Sequence, residues 1–160
     1  MIKDEPICEA VAGADFLAAR DPIMADVVRR VGQCRLAPRE GGFAALAGMI
    51  IGQQLSRAAA ATIKTRVASI LGGKITPAGV LRAAEENLRG CGLSRRKVSY
   101  LRELAAATTS GMVKFEDLPA ADEAVALEML TAIRGVGRWT AEMYLIFVLG
   151  RLDVLPLAGC

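Results

Sequence analysis

Apolar residues recur at helical spacing along most of the chain. In residues 22–32 they fall on one helix face, with Asp21 placed to cap the helix, Pro22 at its first position and Gly32 at its end. The run at residues 42–51 is apolar on nearly every side, which predicts a buried helix rather than a surface one. The pattern therefore predicts an all-α fold.

Serines mark the start of two longer helices, because a serine hydroxyl accepts a hydrogen bond from the free N–H groups of a first helical turn. Ser56 precedes the helical segment 57–71, and Ser94 precedes the segment 95–111. A further helix is predicted from Ala121 to Ile133. The apolar stripe expected to face inward on the first of these helices consists of Ala60, Ile63, Val67, Ile70 and Leu71.

Composition agrees with packed helices. Hydrophobic residues make up 53% of the chain and aromatic residues only 4%, so the core must be built largely from aliphatic side chains, which suit helices better than a sheet. We expect residues 1–160 to form a single domain, with N-terminal helices within residues 1–38. No apolar run reaches the roughly 18 residues of a membrane span. The N-terminus also lacks the apolar stretch of a signal peptide, so a cytoplasmic protein is expected.

Cysteines and charges narrow the chemistry only slightly. The four cysteines lack the paired or clustered spacing of zinc and iron–sulfur sites, so no metal is expected. The net charge of +3 is too small by itself to indicate a nucleic-acid partner. Five basic and no acidic residues occur in residues 41–84, and five basic and no acidic again in residues 87–102. These segments are equally consistent with a positive face for a phosphate backbone and with ordinary solvated helix faces.

The most informative segment is residues 130–149, in which two apolar helices are joined by a tight turn containing two glycines. Glycine leaves no side chain to block close approach, and the first N–H groups of the second helix would point outward unpaired. With the helix dipole they would form a phosphate site that holds DNA without reading its sequence. An ordinary helix corner with a glycine C-cap is an equally good interpretation of the spacing alone. The candidate phosphate-binding residues are Arg134, Gly135, Val136, Gly137, Arg138 and Thr140.

Three segments resemble signatures of one family, in the family's order. Residues 130–141, LTAIRGVGRWTA, resemble the hairpin of the helix-hairpin-helix DNA glycosylase superfamily. Residues 47–63 are similar to the family's helix pair around its DNA wedge, and residues 92–105 to its next signature. Together they cover roughly residues 40–156. The resemblance implies a compact helical bundle with its helix-hairpin-helix over residues 121–149. It also implies base-excision removal of alkylated purines such as 3-methyladenine, with double-stranded DNA carrying alkylated or abasic lesions as the partner.

The resemblance assigns roles to four side chains. Family members flip the damaged nucleotide and fill the gap with a wedge; Gln54 matches that position and Gln53 lies beside it. Trp139 stands where bifunctional relatives carry a nucleophilic lysine, which implies a monofunctional enzyme without strand cutting. Trp139 and Met143 would line a pocket for a cationic alkylated purine. Without the resemblance, Gln54 is equally consistent with a cap or a surface amide, whereas Trp139 and Met143 are better interpreted as core residues.

The resemblance is incomplete where the chemistry would be carried. The family's key aspartate, which stabilises the oxocarbenium-like sugar or activates water, falls here at Gly159 or Cys160, depending on the alignment. The chain is therefore predicted to be a truncated member that lacks this aspartate and the final helices, which leaves its activity doubtful. Apolar surface would then be exposed over residues 141–149, which predicts marginal stability or self-association. No iron–sulfur cluster is expected, whereas hairpin carbonyls near Gly135 and Gly137 could hold a monovalent cation.

Three functions therefore compete. The first is a glycosylase acting on alkylated purines, and the second is a non-catalytic DNA-binding helix-hairpin-helix module. The third is a helical interaction protein unrelated to DNA, which the near-neutral charge suggests. The three-segment resemblance argues strongly against the third.

Overall fold

A computed structural model describes residues 8–37 and 40–156, and the predicted all-α fold is confirmed, since no strand occurs in those ranges. The described residues form nine helices. They are α1 (Cys8–Arg20), α2 (Pro22–Val31), α3 (Phe43–Gly52), α4 (Arg57–Ile70), α5 (Pro77–Arg82), α6 (Glu85–Gly90), α7 (Arg95–Thr109), α8 (Glu123–Thr131) and α9 (Arg138–Phe147).

Side-chain caps explain where three of these helices begin. Asp21 accepts hydrogen bonds of 2.7 and 3.2 Å from two N–H groups in the first turn of α2. Ser56 and Ser94 each accept one from the first turn of α4 and α7, at 3.3 and 3.2 Å. The three predicted helix starts are therefore confirmed, and each cap satisfies a donor that has no partner within the helix.

The helix α3 forms the centre of the core. Four of its residues are fully buried, and it packs against α4, α7 and α9, as its apolar sequence predicts. The apolar face of α7 is buried against it. The innermost residues are Leu46, Ala47, Ile50 and Ile51 on α3 and Val98, Leu101, Leu104 and Ala105 on α7.

Two predictions of inward and outward faces are wrong. Ile70 was expected to face inward on α4 but is 47% exposed, because α4 packs mainly against α3 and buries fully only Val67. The apolar surface expected over residues 141–149 is not exposed: its residues are buried or half-buried, since α9 packs against α3 and α8.

Exposed apolar residues lie instead on the N-terminal helix pair. The helices α1 and α2 pack chiefly against each other, and Ile23 and Val31 on α2 are 73% and 79% exposed. Self-association stays a prediction, and these residues would promote it, as would Met112 and Leu155, which are equally exposed elsewhere. No described helix is long and apolar enough to cross a bilayer. Cys34 and Cys91 are free thiols, whereas Cys160 lies outside the described residues.

Candidate nucleic-acid interface

The helices α8 and α9 form a hairpin through residues 132–137, and its first glycine is required for packing. Gly135 has a φ of +91°, a conformation that residues with a side chain rarely adopt. A Cβ atom on Gly135 would lie 2.3 Å from Cγ of Tyr100, on α7. The backbone of the hairpin therefore lies directly against Tyr100, and this contact and the positive φ both require a glycine.

The second hairpin glycine, Gly137, faces open space. Gly137 is the N-cap residue of α9, with an ordinary φ of −79°, and no side chain caps this helix. A Cβ atom at Gly137 would have no neighbour within 4 Å. The N–H groups of Arg138, Trp139 and Thr140 form the first turn and have no partner within the helix. The positive end of α9 is thus open to an anion.

Two of the other predicted phosphate-binding residues contribute less than the pattern suggested. Val136 is buried, and its N–H group donates a hydrogen bond of 3.0 Å to the carbonyl of Ile133. Thr140 is also buried, and its hydroxyl accepts a hydrogen bond from the amide of Gln53. The candidate anion site therefore consists of main-chain N–H groups from residue 137 to residue 140.

Both arginines of the hairpin are paired with carboxylates. Arg134 donates from Nη1 to Oε1 of Glu103, on α7, over 3.1 Å. Arg138 donates from Nε to Oε1 of Glu142, one turn further along α9, over 2.8 Å. Glu142 is only 2% exposed, and its second oxygen has no hydrogen-bond partner. The two arginines, which flank the turn symmetrically in the sequence, thus have partners in very different surroundings.

The candidate wedge lies on a strained turn at the end of α3. The N–H group of Leu55 donates to the carbonyl of Gly52 over 3.1 Å. Gln53 has φ −52° and ψ 132°, and Gln54 has φ +56°, which is the pattern of a type II turn. Gln54 is the one non-glycine residue with positive φ in the described ranges, and its side chain is exposed. A strained exposed residue of this kind often marks a functional position.

Gln53 joins this turn to the hairpin. Its side-chain nitrogen Nε2 donates to the carbonyl of Gly135 over 2.9 Å and to the hydroxyl of Thr140 over 3.3 Å. The Gln53 side chain is thus directed at the protein, and only Gln54 is free to reach outward. The predicted wedge turn and the hairpin that carries the predicted phosphate site are therefore neighbours in the fold.

Lys97 is a site residue that sequence reasoning missed. Its Nζ atom donates to the carbonyls of Ile51 and Gln53, both over 2.7 Å, and burial lowers the pKa of the amine. In the sequence it is one of five basic residues in residues 87–102, without a local signal of its role. Arg102 from the same segment donates to the carbonyl of Ala83, so neither cation is free for a phosphate backbone.

The proposed base-pocket residues lie on one face of α9. Trp139 is 37% exposed and Met143 is half-buried, one helical turn apart, so neither belongs to the buried core. A cavity of about 390 Å³ lies elsewhere, lined by Leu81 on α5 and by Arg95 and Arg102 on α7. Trp139 is therefore a partly exposed residue in the first turn of α9.

Tyr144 connects α9 to the start of α3. Its hydroxyl accepts a hydrogen bond of 2.8 Å from the N–H group of Gly42. Burial raises the pKa of Tyr144, and the hydrogen bond from Gly42 partly opposes that shift. This contact fixes the helix that carries Trp139 against the helix that ends at the wedge turn.

The described residues contain no group of three His, Cys, Asp or Glu side chains that could hold a metal ion. A monovalent cation at the hairpin carbonyls stays a prediction. Those of Ile133 and Gly135 already accept hydrogen bonds, from Val136 and Gln53.

Comparison with known proteins identifies the family. Residues 47–157 match the model of the HhH-GPD superfamily base excision DNA repair protein, and the chain belongs to this superfamily. It is 34% identical to DNA-3-methyladenine glycosylase 1 of Schizosaccharomyces pombe, over 96% of this chain and 70% of that protein. It is 38% identical to DNA-3-methyladenine glycosylase of Saccharomyces cerevisiae, over 72% of this chain and 42% of that protein.

Solved structures agree with this assignment. The crystal structure of DNA-3-methyladenine glycosidase from Bacillus halodurans superposes with a TM-score of 0.79 at 34% identity, covering 99% of this chain and 71% of that one. The Schizosaccharomyces pombe 3-methyladenine DNA glycosylase in complex with abasic DNA gives the same TM-score and identity, covering 89% of this chain and 72% of that one. The family resemblance stated from the sequence is therefore confirmed.

Proposed function

We propose that this chain is a base-excision DNA glycosylase that flips an alkylated purine, such as 3-methyladenine, out of the duplex and hydrolyses its N-glycosidic bond. The observation that carries the proposal is the surface of two neighbouring elements, the turn of the exposed Gln54 and the hairpin before α9, which Gln53 joins by hydrogen bonds. The names of the relatives, and the abasic DNA bound by one of them, support the same substrate class.

On this surface, binding and base flipping are divided between two elements. The N–H groups of residues 137–140 hold a phosphate without reading sequence, so any lesion context is accepted. Gln54 enters the base stack and fills the space that the flipped nucleotide leaves. Unstacking costs a few kcal/mol and is cheapest at a damaged base, which gives the wedge its selectivity.

The flipped base is recognised by its charge. A purine alkylated at N3 or N7 is cationic in DNA, and the partly exposed indole of Trp139 attracts a cation, with Met143 beside it as an apolar wall. Because the position carries tryptophan rather than lysine, no amine is present there to form a Schiff base with the sugar. We therefore propose a monofunctional enzyme without strand cutting, and without a cofactor.

A second candidate function is DNA binding without catalysis, and one observation favours it. The resemblance drawn from the sequence puts the family's aspartate at Gly159 or Cys160, neither of which has a carboxylate side chain. Both lie outside the described residues. The same surface would then bind alkylated or abasic sites and leave the glycosidic bond intact. In either case we propose that the protein acts on DNA in the cytoplasm, at the nucleoid if the cell is bacterial.

Base release from alkylated duplex DNA distinguishes the two candidates. We would measure free 3-methyladenine and 7-methylguanine by chromatography for the wild-type chain, Trp139→Ala and Trp139→Phe. Release by the wild type that is lost in Trp139→Ala and largely kept in Trp139→Phe supports the glycosylase and its aromatic pocket. No release from a folded chain that binds abasic DNA favours the second candidate. A folded chain without affinity for either duplex contradicts both.

A further inference from the structure

The amine of Lys97 fixes the main chain on one side of the wedge turn. Its two hydrogen bonds, both of 2.7 Å, end on the carbonyls of Ile51 and Gln53. These carbonyls lie at the C-terminal end of α3, where the last C=O groups lack helical partners and a positive charge is favoured. Lys97 thus holds the chain at the point where the turn leaves the helix.

The side chain of Gln53 holds the same turn from the other side. Its amide nitrogen donates to the carbonyl of Gly135 and the hydroxyl of Thr140, while the main-chain carbonyl of Gln53 accepts from Lys97. The next residue, Gln54, has positive φ. A left-handed conformation at such a residue persists only where its surroundings enforce it. Two anchors on the preceding residue provide that enforcement.

Building on the proposed function, we infer that Lys97 is a positioning residue for base flipping. Through the carbonyls of Ile51 and Gln53, it keeps Gln54 in the conformation that presents its side chain to the duplex. Without the amine, the turn relaxes toward an unstrained backbone and Gln54 loses its alignment. Because Lys97 bonds to protein carbonyls, it contributes to lesion discrimination and not to salt-dependent attraction for phosphates.

The test compares affinity for a duplex containing an abasic-site analogue with affinity for an intact duplex of the same sequence, over a range of salt. Lys97→Met should reduce the preference for the abasic duplex by about tenfold. It should leave the salt dependence unchanged. Arg96→Met removes a charge from the adjacent exposed position of α7 and should leave the preference intact. Lys97→Cys treated with 2-bromoethylamine regenerates an amine of similar length and should recover the preference, relative to identically treated wild type.

A double-mutant cycle shows whether Lys97 acts through Gln54. In a Gln54→Ala background, Lys97→Met should change the preference by less than about twofold. An equal loss in both backgrounds overturns the inference. So does an equal loss for both duplexes with a weaker salt dependence, which would make Lys97 a DNA contact. If Lys97→Met does not fold, Lys97→Gln, which keeps an N–H donor, replaces it in the cycle with the same expected sign.

Failure of this inference is distinguishable from failure of the proposed function. A folded wild-type chain without preference for the abasic duplex overturns both. A preference that is present in the wild type and persists in Lys97→Met overturns the role of Lys97 alone.

Discussion

Replacing each hairpin glycine by alanine separates the packing role of one from the DNA-binding role of the other. Gly135→Ala forces a side chain into a φ of +91° and places its Cβ 2.3 Å from Cγ of Tyr100. The unfavourable backbone conformation costs about 1–3 kcal/mol. Displacing the ring costs a further ~1–3 kcal/mol. We therefore expect the free energy of unfolding to fall by about 2–6 kcal/mol in total. This corresponds to a fall in Tm on the order of 5–20 °C.

Gly137→Ala should have the opposite profile. Its φ of −79° suits any residue, and its Cβ would have no neighbour within 4 Å. The free energy of unfolding should fall by no more than about 1 kcal/mol, the difference between glycine and alanine at an N-cap. The new methyl group would occupy the space through which a phosphate reaches the helix N–H groups. Hydrogen bonds to a charged group contribute ~1.5–3 kcal/mol, so DNA affinity should fall by about 10- to 100-fold.

The assay pairs thermal unfolding with fluorescence anisotropy on a labelled abasic duplex at fixed salt concentration. Binding is measured well below the Tm of each variant, so that a loss of affinity cannot result from unfolding. Wild-type affinity in a folded Gly137→Ala chain would refute the main-chain phosphate site. A wild-type Tm in Gly135→Ala would refute the packing account of the Tyr100 contact.

Three further outcomes are expected from named contacts. Gln54→Gly should remove the strain of a side chain at positive φ and raise the free energy of unfolding by about 1 kcal/mol. It should also weaken binding to the abasic duplex, and a loss of stability would contradict the strained turn. Arg138→Ala should lower the free energy of unfolding by about 1–3 kcal/mol, because its partner Glu142 is buried, whereas Arg134→Ala should lower it by only ~0–1 kcal/mol. Urea unfolding measures both, and Glu142→Gln should restore stability to the Arg138→Ala variant. Tyr144 has its pKa raised above the ordinary 10.0, so the stability linked to it is present below pH 10 and is lost as pH rises through the folded value; Tyr144→Phe should abolish this part of the alkaline loss and cost ~1–2 kcal/mol at neutral pH.

Features set by neighbouring residues could be predicted from the sequence. The caps Asp21, Ser56 and Ser94 act on N–H groups two or three positions away, and all three are present. The buried helix α3 was predicted because nearly every position in it is apolar. In contrast, spacing could not show that Ile70 remains exposed, because that depends on how many helices pack against α4.

Features set by distant residues could not be predicted. The partners of the Gln53 amide lie 82 and 87 positions away, and those of the Lys97 amine 46 and 44 positions away. A glutamine beside the wedge and a lysine in a basic segment each have an ordinary local interpretation, and only the folded chain brings them to the same turn. The two hairpin glycines are likewise equivalent in spacing, and differ because Tyr100 lies under one of them.

The surroundings of the two hairpin arginines decide which of them can serve DNA. Arg134 and Glu103 are both solvent-accessible, with side chains 72% and 37% exposed, and such a pair is worth only ~0–1 kcal/mol. A phosphate can therefore replace Glu103 as the partner of Arg134 with little loss of free energy. If Arg138 turned to a phosphate, the buried Glu142 would be left as an uncompensated charge, which is strongly unfavourable. Charge reversal at Arg134 consequently tests DNA binding, whereas the same change at Arg138 first tests the fold.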